Sequence, residues 1–325
     1  MLISGAQFIA PALQYIKAIQ THAARGRGSM AMTGKNGIEL LAAFFTLGGD
    51  VYPFGPTEIS PIPFKDRVEA AAKVGYKGMG LIHADVQATA AQIGLKEMKR
   101  IVDDNDIKYL EYEFLSGWYL DGERRAKSDV MRTEMLEVAQ RLGVRNLKIA
   151  PGLGSDLYAP TEAEMTPDVD RMREAFAGVC RDAAEYGVRV VMEIMPFSNV
   201  RTLEVARAIV EGADQPNGGL LIDIWHMARG GIPYKDIEKI PSRFIGSIEL
   251  DDADADVKGL LWEDTIYHRR LPGEGVLKPK EFIQAVKNAG YEGPWGVEII
   301  SETYRKLPLA EQAKRSFETT MAQFK

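Results

Sequence analysis

The chain has 325 residues, 46% of them hydrophobic, and a net charge of -6 from 40 basic and 46 acidic side chains. That is enough apolar material for one large core, and the acidic balance gives a polyanion nothing to bind, so nucleic acid is excluded as an expected partner. A single cysteine, Cys180, excludes an intramolecular disulfide and any cysteine cluster for zinc or iron and sulfur.

Cys180 falls in the helical stretch REAFAGVCRDAAEYG and reads as a small buried apolar residue. No apolar run approaches the ~20 residues of a bilayer span. The expectation is a soluble, cytoplasmic protein with no membrane partner, in keeping with the lone thiol.

Residues 1–36 lack the basic start and unbroken apolar stretch of a secretory signal, although Phe8, Ile9, Leu13, Ile16 and Ile19 make one helical stripe. Two readings stand for this extension: an arm packing on the rest of the chain or on a partner subunit, or a mis-assigned start, since Met30 follows the turn-rich ARGRGS. From residue 37 onward, short β-branched and aromatic runs alternate with segments of helical period. The runs 38–47, 76–84, 107–115, 145–152, 188–197, 219–225, 244–252 and 294–301 read as eight strands. Helical segments follow each, from FKDRVEAAAKVG after the first, through the short YKDIEKI after the sixth, to LPLAEQAKRSFETTMAQF at the end. Gly75, Gly143, Gly187 and Gly290 each stand between such a helix and the next strand, where a left-handed residue suits a helix C-terminus. Eight βα units predict an α/β fold, a (β/α)₈ TIM barrel, as one domain over 37–325 with an N-terminal extension. An open doubly wound sheet competes, but no strand is followed by a GxGxxG or P-loop glycine pattern.

In such a barrel, polar residues at strand ends mark the active mouth. Glu193 interrupts VRVVMEIMPF, Asp223 interrupts LLIDIW, Glu249 interrupts IGSIELDD and Glu298 interrupts PWGVEII. Any one of them reads equally well as a solvated strand end or a partner for a buried arginine. Four, one on each of strands five to eight, repel one another unless something positive sits between them. A divalent metal answers this, and oxygen-rich ligation suits Mg²⁺ or Mn²⁺ better than zinc.

The segments VVMEIMP, LLIDIWH and LPGEGVLKPKEFIQAVKNAGYEGPWGVEIIS resemble the sugar phosphate isomerase/epimerase superfamily, the xylose isomerase-like barrels that include ketose 3-epimerases and inosose dehydratases. The resemblance runs from about residue 38 to near the end. It implies one metal held by Glu193, Asp223 and Glu298. At strand seven it implies a histidine in a His-x-x-Asp pattern, where this chain has Glu249, Leu250, Asp251 and Asp252. Glu249 completes an all-carboxylate shell, or Asp251, pointing the same way along the strand, serves instead.

His226 stands three residues after Asp223, matching the family's Asp-x-x-His, which implies contact with substrate or a metal-bound water. His83, ending strand two, is placed to bond a sugar hydroxyl or act as a base, or to be a structural cap. His268 and Arg269 lie in YHRRLPGEG, which resembles a family loop returning to the pocket, and Arg269 is placed to hold a substrate oxygen. Glu113, Trp118 and Lys148 complete the expected substrate-binding set, with Lys148 either neutralising an oxyanion or pairing with the carboxylates. Trp118, Phe45 and Trp225 offer flat faces for a sugar ring, with core packing the plain reading of Phe45. The stretch 253–272 is too long for a turn and reads as a lid or specificity loop.

The resemblance implies a divalent-metal-dependent isomerase or epimerase that moves a proton through an enediolate, with Glu193 and Glu298 as the acid/base pair and His226 beside them. An alternative is lyase-type cleavage of 3-keto glycosides, C-glycosides among them, as in the catalytic subunits of C-glycoside deglycosidases. That reading implies a small second subunit in addition to the expected homo-oligomer. A sugar-binding barrel without catalysis is a further reading, against which Glu193 and Glu298 speak. A DNA-repair endonuclease on the same barrel needs a histidine-rich zinc site and a basic surface, and the four histidines and net acidity argue against it. The only glycine-rich stretch near strands seven and eight is LPGEG, so an unphosphorylated sugar is expected.

Overall fold

The β-branched runs pair in parallel, each strand with its sequence neighbour, and the last strand pairs with the first, so no edge is left open. The computed structural model describes residues 37–325, and the expectations for the N-terminal arm lie outside them. The strands are β1 (Leu40–Ala42), β2 (Gly78–Ile82), β3 (Tyr109–Leu115), β4 (Asn146–Ile149), β5 (Arg189–Glu193), β6 (Gly218–Asp223), β7 (Ile245–Leu250) and β8 (Trp295–Val297). The helices through the first half are α1 (Phe44–Leu47), α2 (Phe64–Val74), α3 (His83–Ile93), α4 (Leu95–Asp104), α5 (Gly122–Leu142) and α6 (Glu162–Met165). Then come α7 (Val169–Glu185), α8 (Leu203–Ala213), α9 (Ile224–Arg229), α10 (Leu261–Tyr267), α11 (Pro279–Asn288) and α12 (Leu309–Ala322). This is the (β/α)₈ barrel the alternation predicts. Gly75 shows the expected chemistry of the joins: at φ +117° it ends α2 and donates its N–H to the carbonyls of Ala71 and Ala72.

Three elements differ from the sequence expectation. The run 38–47 is a strand only over Leu40–Ala42, because α1 follows at once. There the Thr46 hydroxyl donates to the Val297 carbonyl at 2.7 Å and accepts from the Ile299 N–H at 2.9 Å, taking over the ladder that a longer β1 would have made with β8. After β2 the chain forms α3 before the expected helix, the two being separated by Gly94 at φ +78°. YKDIEKI forms 3₁₀ turns over Tyr234–Lys239, and α9 precedes it. Cys180 is buried as expected.

The barrel interior is polar in layers. Alternate residues point inward, so Glu111 on β3, Asn146 on β4 and Ser247 on β7 meet in one layer, where Glu111 accepts from Asn146 Nδ2 and Ser247 Oγ, both at 2.8 Å. Two residues further along each strand stand Glu113, Lys148 and Glu249, the floor of the mouth.

Gly80 in β2 allows α1 to cross the barrel rim. A Cβ there would lie 2.5 Å from the backbone nitrogen of Phe44, which cannot move aside. Gly80→Ala is therefore expected to destabilise the protein by about 2 kcal/mol or more in urea unfolding. In Gly178→Ala, inside α7, the new methyl meets only Arg181 Nη2 at 3.8 Å, and a gain of roughly 0.5 kcal/mol is expected.

Candidate active site

The ends of β5 to β8 bring four carboxylates together. Glu193 and Asp223 are the last residues of their strands, Glu298 directly follows β8, and Glu249 stands opposite Asp223 in the β6–β7 register. One oxygen from each of the four lies within 4.8 Å of the others. All are buried, Asp223 and Glu249 to 1% exposure. At an effective dielectric near 20, each ionised pair at that separation costs roughly 3 kcal/mol.

Two buried cations offset part of this charge. Lys148 Nζ lies 2.5 Å from Glu249 Oε1, 3.1 Å from Glu113 and 3.7 Å from Glu111. Arg269 Nη1 reaches Asp223 at 2.6 Å and Glu298 at 3.1 Å, and it also pairs with Asp251. Around these two stand Glu111, Glu113, Glu193, Asp223, Glu249, Asp251 and Glu298, so acid outnumbers base. The excess shows in proton affinities. Burial, reinforced by Glu113 and Glu193 and only partly offset by Arg269, pushes Glu298 up to about 8. Burial and the neighbouring Glu298 push Glu249 well above the usual carboxylate range. Burial also raises Glu113, which Lys148 only partly counters. For Asp223 the opposing burial effect is outweighed by Arg269 and His226, which hold its carboxyl below its ordinary value.

This donor set fits a divalent cation: it supplies four converging oxygens and uncompensated negative charge, and Glu113 Oε1 is buried without a hydrogen-bond partner. Of the two strand-seven alternatives, Glu249 joins the cluster while Asp251 is sealed against Arg269. Asp252 accepts the backbone N–H groups of Ala253, Gly273 and Leu277 and thereby fixes the LPGEG loop.

The spacing of His226 has a local cause. Asp223 caps α9, its Oδ1 accepting from the N–H groups of Trp225 at 2.6 Å and His226 at 3.2 Å. The third helical position then turns His226 Nε2 to Glu193 Oε1 at 3.0 Å. His226 Nδ1 is buried without a partner.

Above the carboxylates opens a cavity of about 250 Å³. Its floor is Glu113, Glu193, His226, Arg269 and Glu298, and Phe45, Phe114, Met195, Phe197 and Trp262 form its walls. Asp223 and Glu249 lie beneath, so of the four clustered acids Glu193 and Glu298 alone line it. His83 also lines it, with Nδ1 2.9 Å from the Tyr112 hydroxyl and Nε2 3.3 Å from Glu134. Burial lowers the His83 pKa, against the pull of Glu134.

Four expected substrate contacts stand elsewhere. Trp118 is fully buried and donates from Nε1 to the Ala150 carbonyl at 2.6 Å, so the core takes the face expected for a sugar. Trp225 is equally buried, packed under the Arg269 guanidinium at 5.5 Å from its ring centre. Lys148 is the ion-pair partner of the floor and does not line the cavity. Along the extended stretch after α10, Arg269 reaches the cavity, while His268 lines only a separate depression beside Ser301. Sequence reasoning missed Phe54, Met131, Phe197 and Trp262. The signal for Trp262 was LLWEDTIY, an apolar helical pattern inside the expected lid, and this segment forms α10 with Trp262, Thr265 and Ile266 lining the cavity.

The strand order and the mouth define a closed eight-stranded parallel barrel with an acidic cluster at the C-terminal ends of its strands. A family model described as xylose isomerase-like TIM barrel matches residues 68–322, and the chain belongs to that family. An inosose isomerase from Halalkalibacterium halodurans is 26% identical over 230 residues, 70% of this chain and 79% of that protein. A 3-dehydroshikimate dehydratase from Pseudomonas aeruginosa is 24% identical over 251 residues, 76% of this chain and 38% of that longer protein. Among solved structures, the IOLI protein with a binding zinc atom superposes with a TM-score of 0.75 at 20% identity, covering 88% of this chain and 98% of that one. D-psicose 3-epimerase from Clostridium cellulolyticum H10 superposes with a TM-score of 0.67 at 16% identity, covering 89% and 100%. These two structures share the fold. Among the described residues no helix is long and apolar enough to cross a membrane.

Calorimetry on metal-stripped protein is expected to show one Mn²⁺ site per chain whose occupation releases protons. A proton held by Glu298 to about pH 8 competes with the cation, so affinity rises as pH increases from 6 toward 8. Equal affinity at pH 6 and 8 would contradict this. Lys148→Met leaves Glu249 without its partner and is expected to cost about 3–5 kcal/mol of stability in metal-free protein. Mn²⁺ should then raise the Tm of the variant more than that of the parent.

Proposed function

We propose that the protein is a divalent-metal-dependent sugar isomerase or epimerase that moves a proton at the carbon beside a carbonyl. The observation that carries this is the double position of Glu193 and Glu298, which belong to the ion-binding cluster and also line the cavity. Their strands stand three places apart in an eight-strand ring, and in this reading the two carboxylates act on a bound ring from different sides. The chemistry supplied by Mn²⁺ or Mg²⁺, when bound, is stabilisation of the negative charge that an enediolate puts on adjacent substrate oxygens.

Glu193, oriented by the His226 hydrogen bond, withdraws the proton from one face, and Glu298 returns one on the other. Return to the same carbon epimerises, and delivery to the neighbouring carbon isomerises. Arg269, tied to Thr265 through Nε at 3.1 Å and Nη2 at 2.8 Å, holds a substrate oxygen at the floor. The inosose isomerase and dehydratase relatives support carbonyl-adjacent proton chemistry. The reading takes an unphosphorylated substrate, which is supported by the LPGEG loop, whose Gly273 N–H is already taken by the Asp252 carboxylate.

A second reading, proton loss beside the carbonyl of a 3-keto glycoside with expulsion of the neighbouring group, is favoured by the apolar walls above this floor.

The test is NMR of Mn²⁺-loaded protein with inososes, ketoses and 3-keto glycosides in D₂O. Deuterium is expected at the carbon beside the carbonyl, and Glu193→Gln and Glu298→Gln should each slow its entry about 10²–10⁴-fold with the barrel still folded. Exchange that survives both substitutions would remove the acid/base assignment.

A further inference from the structure

The segment between β7 and β8 supplies one wall of the cavity, through Trp262, Thr265 and Ile266 of α10. Its first part, residues 255–260, is exposed throughout, so apolar burial does not hold it to the barrel. The side-chain pairs of Asp254 with Arg270 and Lys258, and the bond from the Leu260 N–H to Glu263, are exposed as well. Exposed pairs of this kind contribute little.

A buried pair holds the segment instead. Arg229, the last residue of α9, and Asp264 of α10 have side chains 8% and 2% exposed. Arg229 Nε and Nη2 both lie 2.9 Å from Asp264 Oδ2. Nη2 also donates to the Asp254 carbonyl at 2.9 Å, and Nη1 to the Ala255 carbonyl at 3.3 Å. The other Asp264 oxygen accepts the Lys258 N–H at 3.0 Å. Three acceptors in different directions suit a planar guanidinium, and the single ammonium of a lysine does not match them. Neither Arg229 nor Asp264 lines the cavity, so whatever they do for a substrate they do through other residues.

The contacts close a circuit that starts and ends on Asp223. Its Oδ1 caps α9, α9 carries Arg229, and Arg229 fixes Asp264. The next residue, Thr265, accepts from the Arg269 guanidinium, which returns to Asp223 Oδ2. Arg269 therefore keeps its place at the floor only while α10 keeps its own.

We propose that Arg229 is a positioning residue: through Asp264 it holds α10 against the mouth and so sets where Thr265 and Arg269 meet the substrate. The role in substrate binding rests on the reading of the floor as the site of proton transfer. The hold on α10 does not.

The experiment is two measurements on the full-length Mn²⁺-loaded protein carrying Arg229→Met and Asp264→Asn together, which removes both buried charges and leaves an acceptor for the Lys258 N–H. In hydrogen–deuterium exchange, amides of 258–267 are expected to exchange about tenfold faster than in the parent, with those of β5 to β8 unchanged. In the solvent-deuterium assay, with whichever inosose, ketose or 3-keto glycoside the parent labels, KM is expected to rise about fivefold or more with kcat held within about threefold. Simple loss of folded protein would lower kcat and leave KM alone. Arg229→Lys keeps the charge beside Asp264 and gives up the fork, so it should show both changes at smaller size, and it decides the matter if the double variant does not fold. The proposal is overturned if exchange in 258–267 is unchanged, or if kcat falls while KM stays. A parent that labels no substrate removes the proton-transfer reading, and amide exchange then still decides whether Arg229 holds α10.

Discussion

Like charges gathered out of water are the constraint on which the mouth of this barrel depends. Four carboxylates at 1–7% exposure, each within reach of the others, cannot all be ionised in the folded protein without positive charge among them. The chain supplies two fixed cations from positions that the barrel makes adjacent: Lys148 from β4 under Glu249, and Arg269 from the loop after α10 between Asp223 and Glu298. Protons retained by Glu298 and Glu249 make up part of the remainder, and a divalent ion bound there would displace them.

The strand-seven departure from the family pattern is intelligible in the same terms. Where the resemblance implies a neutral imidazole, this chain has Glu249 with Lys148 at 2.5 Å. With Glu249 ionised the pair has no net charge, as an imidazole has none, so the charge offered to a cation is still set by Glu193, Asp223 and Glu298. The substitution changes which atoms are presented more than it changes the field.

Much of this is legible in the order of residues alone. Alternating periodicity locates all eight strands, and acids interrupting apolar runs locate the cluster, because burying an ionised group at a strand end is costly unless something positive meets it there. The Asp223 to His226 spacing is legible as a motif, and its cause, a helix cap, is not. What fails is the assignment of which side of a wall a residue faces. Trp118 and Trp225 are aromatic residues near strand ends like Phe45, and only packing decides that the first two are sealed while the third reaches the cavity. His268 and Arg269 are neighbours, yet only Arg269 reaches the cavity. Phe54 lies in a long loop without periodicity, so nothing in the pattern distinguishes it.

Anomalous diffraction at the manganese edge, from crystals of Mn²⁺-loaded protein, addresses the centre of this account. One peak per chain is expected, within about 2.0–2.6 Å of oxygens from Glu193, Asp223, Glu249 and Glu298. A peak bound elsewhere, or no peak with Arg269 still bridging Asp223 and Glu298, would contradict it.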